Sequence, residues 1–503
     1  MSFLVIIALG VFTALFIQHK KSPKQSIDNE YKGPPLINAW DCLGIIRLVE
    51  IIRHFQRKDI RQYTDRLFKT YGHTYAVNLL GKQIILTHNA HNITQVLSTG
   101  FADYSPADNV GSLFSHATPH GIFATKNSNE WKKTRKALQM ALANNRGICD
   151  LNILEEHVEK FLKSVPPDRA PFDIQAKFAD LCTDIMATFA LGASTDQLGS
   201  TQTAPNKLFV ENLNYIKSII AKCGLLGPLH HLIPKRRFRI ACDDARNYVT
   251  GHVNEQLQSP GSVSHGNEGN RTMPPSLFLR GFDRDTRDAS ELSSHSLSII
   301  LAAIDSMATV LSATFFLLAQ DERVTAKLQA TILENIGYGH PTYEQLQSME
   351  YLRFVLSEAM RLFPAVTFSG RIANKDTLLP YGGGSNGMSN VQVRKGTVVV
   401  ISNWASHRMS DIFSDRPAEF YPERWEGLQR DPPGYLPFLQ GPKACPGRRY
   451  AMTQISYIVT RILQTVSDIE DYNCGEWKEK FGFGFENANG VIVGLHRDFP
   501  IKG

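Results

Sequence analysis

The sequence reads as a mainly α-helical body with small, segregated β-sheets, set behind an N-terminal transmembrane helix. Three observations point there. Phe3 to Ile17 is an uncharged apolar run, followed at once by Gln18, His19, Lys20 and Lys21. Two later stretches, Ser296 to Ala319 and Met349 to Leu362, carry apolar residues over helical lengths or at helical spacing. Segments of strand character are few and gathered together, as in Val391 to Val393 and Thr397 to Ile401.

Taken in order, the first element is the membrane helix, assigned to residues 1–18. Its apolar run covers roughly 22 Å at about 1.5 Å per residue, close to the thickness of a thin reticulum membrane. A cleaved secretory signal would carry positive charge before the run and small residues after it; neither is present, so the segment reads as a retained anchor. Lys20 and Lys21 place the following chain on the cytosolic side. A polar linker, 19–38, ends in Lys32-Gly-Pro-Pro35, where proline stiffens the tether. Residues 39–503 then form one domain, with Ser259 to Ser276 as an exposed Gly/Ser/Asn/Pro-rich loop inside it. On the cytosolic side, the sequons at Asn92 and Asn270 stay unglycosylated.

Ser296 to Ala319 is long enough to cross a membrane, yet Asp305 sits at its centre. A carboxylate at mid-bilayer costs about 2.5–3.5 kcal/mol on the insertion scale, which favours a helix buried in a soluble body. Thr342 and Gln345 form a capping-box pattern. Beyond it Met349, Leu352, Val355, Leu356, Ala359 and Leu362 recur helically, Glu358 and Arg361 share one face, and Pro364 ends the run. Val391 to Val393 and Thr397 to Ile401 flank a Lys395-Gly396 turn and predict a hairpin.

Composition narrows the function classes. With 43% hydrophobic and 20% charged residues among 503, the chain can bury a large core and is neither disordered nor collagenous. A net charge of +6, from 54 basic and 48 acidic residues, is too mild for a nucleic-acid protein. The seven cysteines are scattered, with no CxxC pair, which argues against a disulfide framework or a zinc ribbon. His116 and His120 have metal-like spacing, but Pro119 argues against a helix that would pair them. Gly382-Gly-Gly384 lacks the Gly-Lys-Ser/Thr ending of a phosphate loop. Pro234 to Arg239 is a basic, solvated or membrane-facing patch.

Chemistry concentrates in Phe438-Leu-Gln-Gly441-Pro-Lys443-Ala-Cys445-Pro-Gly447, which runs into a helical segment from Arg448. Free amides and the helix dipole stabilise a thiolate at such a junction, and glycines allow close backbone approach to a planar ligand. That thiolate suits a nucleophile, a zinc ion or a haem iron. Zinc requires further ligands, and none is spaced for it.

Phe-x-x-Gly-x-x-x-Cys-x-Gly resembles the haem-binding loop of the cytochrome P450 superfamily. Four further segments resemble that family's signatures in its own order, so the likeness extends over the whole chain after the linker. Glu358-Ala-Met-Arg361 is similar to its Glu-x-x-Arg helix, and Phe420 to Trp425 to the segment whose arginine, here Arg424, completes a buried Glu–Arg–Arg cluster. Trp131 to Arg135 resembles the helix that reaches a haem propionate. Ala302-Ala303-Ile304-Asp305-Ser306 resembles the oxygen-activating helix, with alanine for glycine at Ala303, serine for threonine at Ser306, and Met307 where a second threonine is common.

The resemblance implies a haem-thiolate fold with Cys445 as axial ligand of haem b. Phe438, Gly441 and Gly447 would shape the loop, and Trp131, Arg135, Arg371 and Lys443 would hold the propionates. Lys443 stands where the family usually has arginine or histidine. Asp305 and Ser306 would deliver protons during oxygen activation. No flavin or nicotinamide fingerprint is present, so electrons from NADPH would come through a diflavin reductase, with Lys443, Arg448 and Arg449 as docking charges. The expected setting is the endoplasmic reticulum membrane, single-pass, with the catalytic domain in the cytosol. Thr377 to Gly384, Val393 to Val400 and Phe420 to Trp425 resemble fungal alkane and fatty-acid hydroxylases; secondary-metabolism enzymes share the same framework. The segment Tyr104 to Phe123, read as a loop, would line the substrate pocket with Ala302 and Val366 to Phe368. A haem-thiolate isomerase or dehydratase and a non-catalytic haem sensor are the alternative readings.

Overall fold

The computed structural model describes residues 33–496, apart from 39, 107, 126–127, 143–148, 168, 259–275, 283–285 and 414–415. The anchor at 1–18, most of the linker and almost all of the loop from Ser259 lie outside the described residues. The described chain already joins the body within the stretch read as linker, because Leu36 and Ile37 pair with Ala76 and Val77.

Helices dominate, as expected, and the strands are gathered in small sheets. The strands are β1 (Leu36–Ile37), β2 (Thr74–Leu79), β3 (Lys82–Thr87), β4 (Tyr104–Ser105), β5 (Phe172–Asp173), β6 (Phe368–Ala373) and β7 (Thr377–Gly383). They continue with β8 (Ser389–Val393), β9 (Val398–Ser402), β10 (Asp468–Asp471), β11 (Glu479–Phe481), β12 (Phe485–Asn487) and β13 (Ile492–His496). Six form one sheet in the order β1-β2-β3-β9-β6-β4, and the rest make three smaller sheets.

The long apolar stretch is one continuous helix, Ala289–Gln320, which begins seven residues before the apolar run. The extra turns are polar, and Asp288 caps them by accepting a hydrogen bond from the Ser290 amide at 2.8 Å. Its length and apolarity would suffice to cross a membrane, but most of its side chains are buried inside the body. It packs along the helix Ile174–Leu191 and forms the spine of the main hydrophobic core. The Thr342–Gln345 capping box is present, with both reciprocal bonds made. The following helix, Glu350–Leu362, stops just before Pro364.

The predicted hairpin over 391–401 is not formed. Gly396 does turn the chain, at φ +84°. However, β8 pairs back onto β7, while β9 enters the large sheet between β3 and β6. The two strands differ on their second face: Val398 and Val400 of β9 are half-buried and line the main cavity, whereas Asn390 and Gln392 of β8 are exposed, so β9 is the strand that takes an interior place.

Glu358 and Arg361, three apart on one helical turn, are both completely buried. Two Arg361 nitrogens donate to the Glu358 carboxylate at 2.9 Å each. Arg424 donates to it at 2.8 Å, the Trp425 indole at 2.9 Å and the Tyr421 amide at 3.1 Å. Arg361 also reaches the carbonyls of His407, Pro417 and Glu419. The expected cluster therefore welds a core helix to the irregular segment that precedes Cys445.

Burial pushes the Glu358 carboxyl upward, but the Arg361 bonds and the Arg361 and Arg424 charges outweigh it and hold the group below its ordinary range. The stabilisation is present above the ordinary carboxylate pKa and is lost as pH falls through the lowered folded value. Glu358→Gln leaves two buried guanidinium groups without their counter-charge. It is expected to cost about 3–5 kcal/mol in denaturant unfolding, and to flatten the acid limb of the stability profile.

Candidate active site

The main cavity has a volume of about 1560 Å³, more than the 300–1,000 Å³ typical of a single small ligand, so it has room for a prosthetic group and a substrate together. Trp131, Arg135, Arg371, Phe438, Lys443, Cys445, Gly447 and Ser306 all line it. Residues more than 300 positions apart in sequence thus share one wall.

The Cys445 loop is held by its own backbone. The Cys445 amide donates to the Phe438 carbonyl at 2.8 Å, and the Ala444 amide to Gly441 at 3.0 Å. The helix Arg448–Thr465 starts directly after Gly447. Cys445 is surrounded by protein yet keeps accessible surface, and it lines the cavity. Burial raises its pKa; the Gly447 amide and the Arg135 and Arg448 charges act the other way and favour thiolate.

Gly441 works differently from expectation. It does not line the cavity. At φ +72° a Cβ would lie 1.9 Å from the Leu97 carbonyl oxygen, so only glycine lets the loop rest against that segment. The close approach is to protein backbone rather than to a ligand.

Three cations converge on the cavity without an anion. Arg371 is 9% exposed and, among the described residues, hydrogen-bonds only its neighbour's carbonyl, Gly370, at 2.9 Å; desolvation lowers its pKa. Arg135 donates to the Ala444 carbonyl at 2.5 Å, and its Nε has no partner among the described residues. Lys443 lies 3.9 Å over the Trp131 ring, and burial together with repulsion from Arg371 and Arg135 draws its pKa down to about 8. Among the described residues no Asp or Glu lines the cavity. Buried cations in this state call for an anion. A planar dianion carrying a metal for the Cys445 thiolate fits the donor set, so the residues present suit a haem.

The expected acid and alcohol part company. Ser306 lines the cavity, and its hydroxyl donates to the carbonyls of Ala302 and Ala303 at 3.0 and 3.1 Å. Asp305 does not line it; its carboxylate is held by Lys217 at 2.5 Å, on the helix Ala204–Leu226. Despite Ala303, the helix runs unbroken through both residues. Lys217 was not singled out by sequence. The signal was a lysine on an apolar stripe, among Leu213, Ile216 and Ile220, all buried.

The segment Tyr104 to Phe123 is not a plain loop. It contains β4 and a helix, Asp108–Ala117, and it supplies Tyr104, Phe114 and Phe123 to the cavity. Ala302, Val366 and Phe368 line it as expected. Of the docking charges, Lys443 faces inward over Trp131, and Arg448 is engaged by both Asp431 oxygens at 2.6 and 2.8 Å. Arg449 is exposed. Among the described residues no group of three or more His, Cys, Asp or Glu side chains forms a metal cluster.

The sequence matches the cytochrome P450 family profile over residues 34–468. The chain belongs to the cytochrome P450 family. Among curated relatives, the cytochrome P450 monooxygenase FPY7 of Fusarium mangiferae is 30% identical over 90% of this chain and 87% of its own. The cytochrome P450 monooxygenase fsdH of Fusarium heterosporum is 32% identical over 92% and 83%, and cytochrome P450 52A13 of Debaryomyces hansenii 31% identical over 92% of each chain. Family and relatives together support a P450 monooxygenase. The family implies a haem cofactor, with oxygen and reductase-derived electrons.

Gly441→Ala forces a left-handed conformation on a residue with a Cβ and drives that atom into the Leu97 carbonyl. The variant is expected to lose most of its haem, measured as haem per polypeptide after purification.

Proposed function

We propose that this P450 is a membrane-anchored haem-thiolate monooxygenase that inserts one atom of O2 into a long apolar substrate, with electrons from an NADPH-dependent diflavin reductase. The observation that carries this is the shared cavity of Cys445, the anion-free triad Arg135, Arg371 and Lys443, and Ser306. When bound, the haem supplies the oxidising power. Cys445 would hold its iron as thiolate, and the triad would meet its propionates, with Trp131 packed against Lys443. The Ser306 hydroxyl moves a proton on the cavity side of the central helix. A relay role for Asp305 requires Lys217 to release its carboxylate.

The substrate reading rests on the outer arm of the cavity. Leu48, Ile51, Ile52 and Phe55 recur on one face of the helix Ile45–Arg57 and line that arm. Trp40, Ile46, Val49 and Ile52 are exposed around the same helix. An apolar entrance beside an apolar surface suits a lipid-like substrate arriving from the bilayer, in keeping with the likeness to fungal alkane and fatty-acid hydroxylases. The reductase side is assigned to Arg449 together with the exposed Lys133 and Lys136 of the helix Ser128–Ala141 that carries Arg135.

The test is to reduce the purified protein under carbon monoxide, then to follow NADPH-dependent oxygen uptake with a reductase and long-chain lipids. A red-shifted carbonyl band with product formation is expected; no such band overturns the haem-thiolate reading, and a band without turnover favours a sensor. Cys445→Ala is expected to abolish the thiolate-type spectrum. Ser306→Ala should keep the spectrum but uncouple oxygen consumption from product, and unchanged coupling removes the proton-transfer role of that hydroxyl.

A further inference from the structure

Two fixed cations bear on the Cys445 thiol, Arg135 and Arg448, and they are held in opposite ways. Arg135 lines the cavity, donates to the Ala444 carbonyl and meets no carboxylate among the described residues. Arg448 opens the helix Arg448–Thr465, three residues beyond Cys445, and keeps 37% of its side chain exposed. Its two terminal nitrogens donate to both oxygens of Asp431, at 2.8 and 2.6 Å.

Both partners are fixed relative to the thiol. The Arg448 guanidinium lies 5.5 Å from the centre of the Phe438 ring, and the Phe438 carbonyl accepts the Cys445 amide at 2.8 Å. Asp431 precedes Pro432 and Pro433, whose rings restrict the backbone. Pro432 is buried, and its carbonyl accepts the Tyr435 amide at 3.0 Å. The Tyr435 hydroxyl in turn donates to the Ser357 carbonyl at 2.9 Å. A carboxylate on an anchored segment thus meets a guanidinium at the rigid start of a helix, fork to fork. Asp431 itself does not line the cavity.

The consequence is a matter of sign. A positive charge near a thiolate draws electron density from the sulfur, and a carboxylate in bidentate contact cancels most of that field. Reduction of an iron held there from the ferric to the ferrous state adds one electron, supplied by the reductase proposed above. Added positive charge favours that step, and its cancellation opposes it.

We infer that Asp431, acting through Arg448, holds down the reduction potential of the cysteine-bound iron: by neutralising this half-exposed cation it keeps the Cys445 sulfur strongly donating. Donation that favours O–O cleavage also makes the first electron harder to add, and the pair sets the balance between the two. The inference rests on the haem-thiolate reading and adds to it a positioning carboxylate that touches neither haem nor substrate.

The test uses the full-length holoenzyme and reads the midpoint potential by anaerobic spectroelectrochemical titration. Asp431→Asn is expected to favour the ferrous state about three- to tenfold, an upward shift of about 28 to 59 mV for a one-electron couple. Arg448→Gln is expected to shift the potential downward by a similar factor. The double variant, neutral once more, should return to within about twofold of wild type, as should Arg448→Lys, which keeps the charge without the fork. High salt should shrink both single shifts, because the pair is half-exposed. A salt bridge that only braces the loop would move both single variants in the same direction. That result, an unmoved potential in Asp431→Asn, or a shift in Arg448→Lys as large as in Arg448→Gln overturns the inference and leaves the haem-thiolate reading standing. Where Arg448→Gln fails to retain haem, the sign and salt dependence of the Asp431→Asn shift decide alone. Absence of the red-shifted carbonyl band in the wild-type protein undoes the reading of the site instead.

Discussion

The buried carboxylate of Glu358 is the point on which the rest of the molecule depends. Five donors from Arg361, Arg424, Trp425 and the Tyr421 backbone meet its two oxygens, and the same arginines spend further nitrogens on carbonyls in the loops at His407 and at Arg416 and Glu419. Loops of that kind have no ladder of their own to satisfy them. Guanidinium groups replace the ladder, and the carboxylate makes it tolerable to bury them. The order then passes toward Cys445, because His407 accepts the Leu436 amide at 2.7 Å and Tyr435 donates to the Ser357 carbonyl at 2.9 Å. Position at the thiol is inherited from charge pairing remote from it.

Around the cavity the electrostatic logic is reversed. At Glu358 every charge is answered, whereas Arg135, Arg371 and Lys443 are brought together and left unanswered by protein. A fold tolerates such repulsion where another body supplies the missing sign. Among the described residues no acid lines the cavity, which keeps that demand intact.

Local chemistry was legible in the sequence, and long-range geometry was not. The Cys445 loop, the Glu358–Arg361 spacing and the Thr342 capping box are contiguous patterns whose physics is complete within a few residues. Trp425 was visible as part of a motif, but its indole bond to Glu358 was not. The Lys217–Asp305 pair joins two helices 88 residues apart, and only an odd lysine on an apolar stripe hinted at it. Gly441 was read as making room for a ligand, because the chain could not announce that Leu97 would come so near. The hairpin over 391–401 failed for a related reason: the turn is local and correct, but sheet pairing is settled by which strand must be buried on both sides. Asn92 shows the same limit. Its sequon is written in the chain, yet the side chain is fully buried, bonded to Thr74, Thr87 and the Tyr381 carbonyl, where no glycan can be attached in the folded state.

The Leu97 carbonyl against Gly441 and the Arg135 bond to Ala444 tie the thiol loop to chain made some 300 residues earlier. During synthesis the early half of the cradle must therefore wait, its cations exposed to water, until Cys445 has left the ribosome and folded back onto it. Loading of the cofactor can follow only after the Cys445 loop has been made. A chain cut short before the loop retains helices enough to collapse but has nothing with which to hold iron.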